Sequence, residues 1–396
     1  MSPAAAVRAP GVPRTLALAL LSRVPLSAIG LLLVLQVRHL GHSYTLAGAC
    51  SGACALGMAI GSPVLGRMID RAGQAAVLSV TGGAVVAAMA LFTIIPAGAP
   101  APLFLLVALL VGACQPPVGS CVRVLWRRML DGPGFSALVT LDASLQELAF
   151  LSGPLLLIGL ASGIGAAGAL AVTAAITGVV AALFALLPET RRLGGVEPRD
   201  AHATEAAERA LHSGGVRLLL LVAALMGIAF GATELGLVTT ADHHGARGAS
   251  GILFALWGVG SFIGGIVWTR SVASRDQAAA MPWLLLVLGI TSALIGALPT
   301  MVLVGVGIAL AGAAVAPLFG VLYSTMGDVS PPGALTEAFT LETSAITAGI
   351  ALGSAVAGAA ASAFGAPATF VFAGAAFLVA CAAVRLLGPG VSRATA

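Results

Sequence analysis

Five ionisable side chains, Arg23, Arg123, Asp142, Glu147 and Glu234, interrupt long apolar stretches of this 396-residue chain. Charge is costly to hold in apolar surroundings, so each needs a partner or a task. Arg23 and Asp142 each lie seven residues beyond the start of an apolar run, roughly 10 Å deep at the helical rise. They are placed to pair, and Arg123, near the end of a third run, makes a three-member cluster geometrically feasible. The cluster reads equally as a structural salt bridge or as a contact for a substrate. Glu147 lies twelve residues into its run, roughly 18 Å deep, with no cation at its own depth. A carboxyl so placed keeps its proton, and Glu147 reads either as a proton-coupling group or as a buried hydrogen-bond donor. Glu234, sixteen residues past Leu218, reads as a contact for a cation or a proton, or as a solvated acid near the outer mouth. Glu337 and Glu342 read as acids that complement a helix amino terminus. Gln36, Gln115 and Gln146 are weaker candidates.

The elements that must position these residues follow from composition. Apolar residues make up 59% of the chain and charged residues 9%, with a mean hydropathy of +1.06. A soluble domain carries about a quarter charged residues, so the natural solvent of this chain is a bilayer. The same balance excludes a disordered chain, a disulfide scaffold and a nucleic-acid binder. The five cysteines fall in apolar stretches without histidine nearby, which predicts small buried hydrophobes and no metal.

Twelve apolar runs are long enough to cross a bilayer. They lie near 16–37, 46–65, 75–95, 102–125, 135–161, 166–187, 216–240, 251–268, 281–298, 301–323, 335–364 and 368–387. The only long polar stretch, 188–215, divides the chain into an amino-terminal six-helix half, 1–187, and a carboxy-terminal one, 216–396. Sixteen of the 19 arginines fall on one side of such a bundle, Arg38 and Arg247 on the other, and Arg23 between. Arginine-rich short loops stay in the cytoplasm, which predicts a multi-pass protein of the cell membrane with both termini and the linker cytoplasmic.

The halves repeat each other at an offset of 200 positions. Thr140-Leu141-Asp142-Ala143-Ser144 sits over Thr340-Leu341-Glu342-Thr343-Ser344, Gly153 over Gly353, Gly112-Ala113 over Gly312-Ala313, and Pro117 over Pro317. Two parallel six-helix repeats joined by a linker are the plan of one large transporter class. Over nearly its whole length the chain resembles the major facilitator superfamily. Gly66-Arg67-Met68-Ile69-Asp70-Arg71-Ala72-Gly73 fits that family's loop signature G-x-x-x-D-R-x-G, although Gln74 and Ala75 replace the usual basic pair. The resemblance implies an all-α membrane fold of twelve helices. It also implies that Gly66, Asp70, Arg71 and Gly73 belong to a conformational latch, Asp70 facing the amino-terminal end of span eleven.

Gly153-Pro154 resembles the glycine-proline core that family antiporters carry in span five, and proline kinks a helix. Ala149, Leu157, Ile158 and Ala108 depart from the antiporter pattern. Pro117 and Pro317 are expected to bend spans four and ten. No phosphate-loop motif, metal motif or nucleophile signature accompanies these features, so neither an enzyme nor an ATP-driven pump is expected, and no cofactor. The reading is a secondary carrier of a small organic molecule, monomeric by the resemblance, working by alternating access. Proton-coupled export is the first reading and proton-coupled uptake of a nutrient the second; a non-transporting sensor is the third. Only 20 aromatic residues favour a small aliphatic or amphipathic substrate.

Overall fold

The computed structural model describes residues 6–130, 132–193, 210–244, 249–271 and 278–394. Within them every regular element is helical. The first six spans are built from α1 (Val12–His39), α2 (Tyr44–Ala72), α3 (Gln74–Ile94), α4 (Ala101–Ala113), α5 (Val118–Met129) and α6 (Pro133–Leu186), followed by a short α7 (Pro188–Leu193). The last six comprise α8 (Gly214–His243), α9 (Ser250–Ser271), α10 (Met281–Ile295), α11 (Met301–Gly312), α12 (Val315–Val329), α13 (Leu335–Phe364) and α14 (Pro367–Ala394). Residues 194–209 of the expected linker, together with Arg247 and Arg275, lie outside the described residues.

Among the described residues, ten helical stretches are long and apolar enough to cross a membrane. The 54-residue α6 holds two spans, because Gly165 leaves helical geometry at φ 79° and ψ 165°. Only glycine adopts that conformation without strain. With α10 as a shorter span, the total is about twelve, in the expected order.

Spans four and ten depart from expectation. They are broken rather than bent: α4 stops at Ala113 and α5 restarts after Pro117, while α11 stops at Gly312 and α12 restarts at Val315. Pro117 precedes the first turn of α5, and Pro317 lies buried in the first turn of α12. Neither ring interrupts a helix, since a first turn needs no donor from its proline.

In lipid, helices gain little from hiding apolar surface against each other, so close packing holds the bundle. Side chains such as Val80, Leu155 and Val302 are correspondingly exposed on its outside. A β-carbon on Gly57 or Gly61 of α2 would run into the backbone of Leu109 or Ala113 of α4. Gly260 and Gly264 of α9 stand in the same relation to Ala309 of α11 and to Ala313 just past its end. Gly153 of α6 lies against Val24 of α1 as Gly353 of α13 lies against Ile228 of α8. Between the halves, α2 packs on α13 and α6 on both α9 and α12, with Gly66 against Thr340, Gly265 against Ser144 and Gly320 against Thr140.

Candidate functional site

Asp142 points inward from the third turn of α6 and is fully buried. Arg23 of α1, 4% exposed, grips it with two parallel bonds, Nη1 to Oδ1 and Nη2 to Oδ2, each 2.6 Å. A planar guanidinium matches a carboxylate in this two-pronged way, and both groups are satisfied without water. Gly153 lets α1 and α6 come close enough for the grip. Arg123 of α5 approaches the same carboxylate, its Nε 3.8 Å from Oδ2.

Arg123 then reaches across to the other half. Its guanidinium carbon lies 3.6 Å from the ring centre of Tyr323 of α12, a cation over an aromatic face. Its Nη1 stands 3.7 Å from Oε2 of Glu342 of α13. Neither carboxylate oxygen of Glu342 has a hydrogen-bond partner among the described residues, and nor does Arg123 Nε.

A second group of contacts closes the bundle at the end carrying Arg67, Arg71, Arg127 and Arg128. The amino terminus of α13 has no side-chain cap of its own. Asp70 of α2 supplies one from the other half, Oδ1 accepting from Thr336 N at 3.2 Å and Oδ2 from Glu337 N at 2.8 Å. First-turn amides lack intrahelical acceptors, and a negative charge there complements the helix dipole. Arg67 Nε donates to Glu337 Oε1 at 2.6 Å, and Arg127 Nη2 to Asp328 Oδ1 at 2.7 Å. Gly66 admits this approach, since a β-carbon would strike the Thr340 hydroxyl. Gly73 ends α2 at φ 85°. Arg71 is exposed. Gln74, where the family signature usually has a cation, ties α3 to α5 by donating from Nε2 to the Cys121 carbonyl at 3.2 Å.

Glu147 of α6 and Glu234 of α8 are half-buried. Glu147 lies close enough to Glu234 and to Arg23 to feel both charges. One turn before Glu234 on α8 stands Phe230, the centre of a group of rings. Phe230 of α8 meets Trp257 of α9, Phe319 of α12 and Phe377 of α14 at ring separations of 5.8, 5.6 and 5.5 Å, and Phe319 leads on to Tyr323 at 5.6 Å.

A family model described as Major Facilitator Superfamily matches residues 15–306. The chain belongs to the Major Facilitator Superfamily. This superfamily member shares its fold with solved transporters over almost the whole of both chains. The human organic anion transporter MFSD10 (TETRAN) superposes with a TM-score of 0.72 at 18% identity, covering 95% of this chain and 100% of that one. A bacterial homologue of the iron transporter ferroportin, in an outward-facing state, reaches 0.76 at 15% identity, covering 95% and 99%. The fucose:proton symporter of E. coli reaches 0.73 at 14% identity, covering 94% and 97%. Among curated proteins no sequence matches the chain. Its family and its structural neighbours are transporters, not enzymes.

Within this superfamily member, Arg23, Asp142 and Arg123 come together. Sequence reasoning missed two members of their cluster. Glu342 was assigned to a helix terminus, yet it is buried eight residues into α13 and faces Arg123. Tyr323 carries no charge that would mark it in an apolar run. The offset-200 repeat held the signal for both, because it pairs Asp142 with Glu342 and Arg123 with Tyr323. Glu147 also has neighbours that depth alone did not reveal, because Glu234 belongs to the other half. Four of the five cysteines are buried and Cys114 partly so, none in a disulfide.

Proposed function

We propose that this protein is a secondary active carrier of the cell membrane that exports a small organic molecule against an inward flow of protons, its halves rocking about a site near the bilayer midplane. The observation that carries this reading is that Glu147 and Glu234, one from each half, stand half-buried within reach of each other's charge. The nearest cation, Arg23, is already held in two bonds by Asp142. Two carboxyls in apolar surroundings without a free cation are suited to take up protons and to yield them when a molecule binds. The rings of Phe230 and Trp257 supply apolar surface nearby.

In this reading the halves are 1–187 and 216–396, and the linker 188–215 and both termini are cytoplasmic, as the arginine bias requires. The contacts of Gly66, Asp70, Arg71 and Gly73 then form a latch on the cytoplasmic side, and the joined latch leaves the site facing outward. The unit that transports is a single chain, with the proton as coupling ion.

The test compares metabolites inside and outside an overexpressing strain and a deletion strain, with and without collapse of the proton gradient. A compound that accumulates outside only when carrier and gradient are both present establishes proton-driven export, and Glu147→Gln and Glu234→Gln then abolish it. A compound enriched inside by the carrier replaces export by uptake. The likeness to a fucose:proton symporter supports that second reading. No carrier-dependent difference for any compound removes both.

A further inference from the structure

Among the described residues, Arg23 closes tightly on Asp142 at 2.6 Å, Arg67 on Glu337 at 2.6 Å and Arg127 on Asp328 at 2.7 Å. The pair between Arg123 and Glu342 is not closed in this way, at 3.7 Å, although both side chains are buried, 4% and 1% exposed. A buried carboxylate facing a guanidinium gains most by closing to hydrogen-bond distance, and leaving it open sacrifices solvation without recovering it. The hydroxyl of Thr343, the next residue along, gives its proton to the Phe339 carbonyl at 3.0 Å. Arg123 meanwhile has two other partners, Asp142 and the ring of Tyr323. This is the geometry of a neutral carboxylic acid beside a cation whose charge is satisfied elsewhere.

We propose that Glu342 is a proton-binding site, loaded while the Asp70 end of the bundle is joined and emptied when that end opens. The proposal rests on the carrier reading, and it adds a second protonation site outside the Glu147 and Glu234 pair. In the joined state a proton occupies one Glu342 oxygen as an O–H bond. When α13 parts from α2 and α5, water reaches the carboxyl, the O–H bond breaks, and the proton leaves as hydronium on that side. Asp142 keeps its partner throughout, because Arg23 moves with it in the same half.

The other groups around Glu342 leave this assignment standing. From α5 it faces Arg123, from α12 the phenol of Tyr323, and behind Arg123 lie Asp142 of α6 and Arg23 of α1. From α2, Asp70 and Arg67 meet α13 at Thr336 and Glu337, more than a turn away. The turn Ala210–His212 brings His212 to the same end. On α8, Glu234 adjoins Leu235, which faces Gly358, about four turns along α13. On α14, Arg385 stacks over Trp283.

The sign follows from linkage. The joined state holds the proton more tightly than the open, wetted state, so lowering pH favours joining and raising pH favours separation. The test places nitroxides on Ala72→Cys and Pro332→Cys, on opposite sides of the junction, in full-length carrier in nanodiscs with the five native cysteines replaced by alanine. Distances are measured by double electron–electron resonance between pH 5 and 9. In the otherwise native chain the ratio of separated to joined molecules rises by up to about tenfold per pH unit through the transition. Glu342→Gln, a permanent mimic of the loaded acid, stays joined across the range. Glu342→Asp, which yields its proton more readily, separates at lower pH than the native chain and serves even where the glutamine variant does not fold. A distance independent of pH in the native chain, or a midpoint unmoved in Glu342→Asp, overturns the proposal. The measurement needs no substrate, so its failure and the failure of proton-driven export appear separately.

Discussion

Asp142 and Glu342 hold the same position in the two halves, in different surroundings. Asp142 is gripped by Arg23, whose place in the second half can be found from the packing. Val24 meets Gly153 as Ile228 meets Gly353, so Arg23 corresponds to Gly227. Arg123 corresponds to Tyr323 at the offset of 200. The first half thus owns both cations of the cluster, and the acid of the second borrows one across the boundary. The rings divide the other way: Phe230, Trp257, Phe319, Tyr323 and Phe377 all belong to the second half. Duplication kept the glycine contacts that set helix spacing and let the chemistry diverge, because backbone approach tolerates only the smallest residue while the cluster needs charge balance only as a whole.

The largest effect expected from this contrast lies at Arg23. Arg23→Ala strands a buried carboxylate, and thermal unfolding in detergent should show a loss of about 3–5 kcal/mol. The equivalent acid has no such two-pronged grip, its cation standing 3.7 Å away, so Glu342→Gln should cost far less; equal losses would break the contrast. Next come the glycines. Gly153→Ala and Gly353→Ala each force a methyl into backbone across a tight crossing, and each should destabilise by about 1–3 kcal/mol. Similar values in the two halves sharpen the claim that packing was conserved, and a neutral result in one would localise its loss. Asp70→Asn removes a charge from the α13 terminus, a change of about 0.3–2 kcal/mol in the joined state. It should slow transport with expression unchanged, and native rates in the variant would remove the latch. The smallest change belongs to Asp328→Asn, which pairs with Arg127 from an exposed position: under about 1 kcal/mol, fading as salt is added.

Much of this was legible in the sequence, for physical reasons that differ by residue. Span positions follow from apolar length, which a bilayer imposes on every crossing segment alike. Arg23 and Asp142 could be matched because their depths agree and because each is intolerable alone. Depth says nothing about azimuth, however, so the approach of Glu147 to Glu234 could not be read from runs and spacings. Glu342 was misassigned for a related reason. Near a helix start an acid has a sufficient local explanation in the dipole, and only its duplicate Asp142 argued for a deeper one. The breaks of spans four and ten were read as bends because a proline marks an interruption without saying on which side of it the helix resumes.

The Asp70 contact has a consequence for solvent. Two backbone amides of α13, Thr336 and Glu337, find their acceptors only in the other half. Any state in which α2 and α13 part leaves those amides without acceptors, and an unmet donor is expensive. Water must follow the separating helices inward to replace the carboxylate. The parting of this end is therefore a hydration event, and agents that change the activity of water should shift its equilibrium as directly as any ligand that binds the halves.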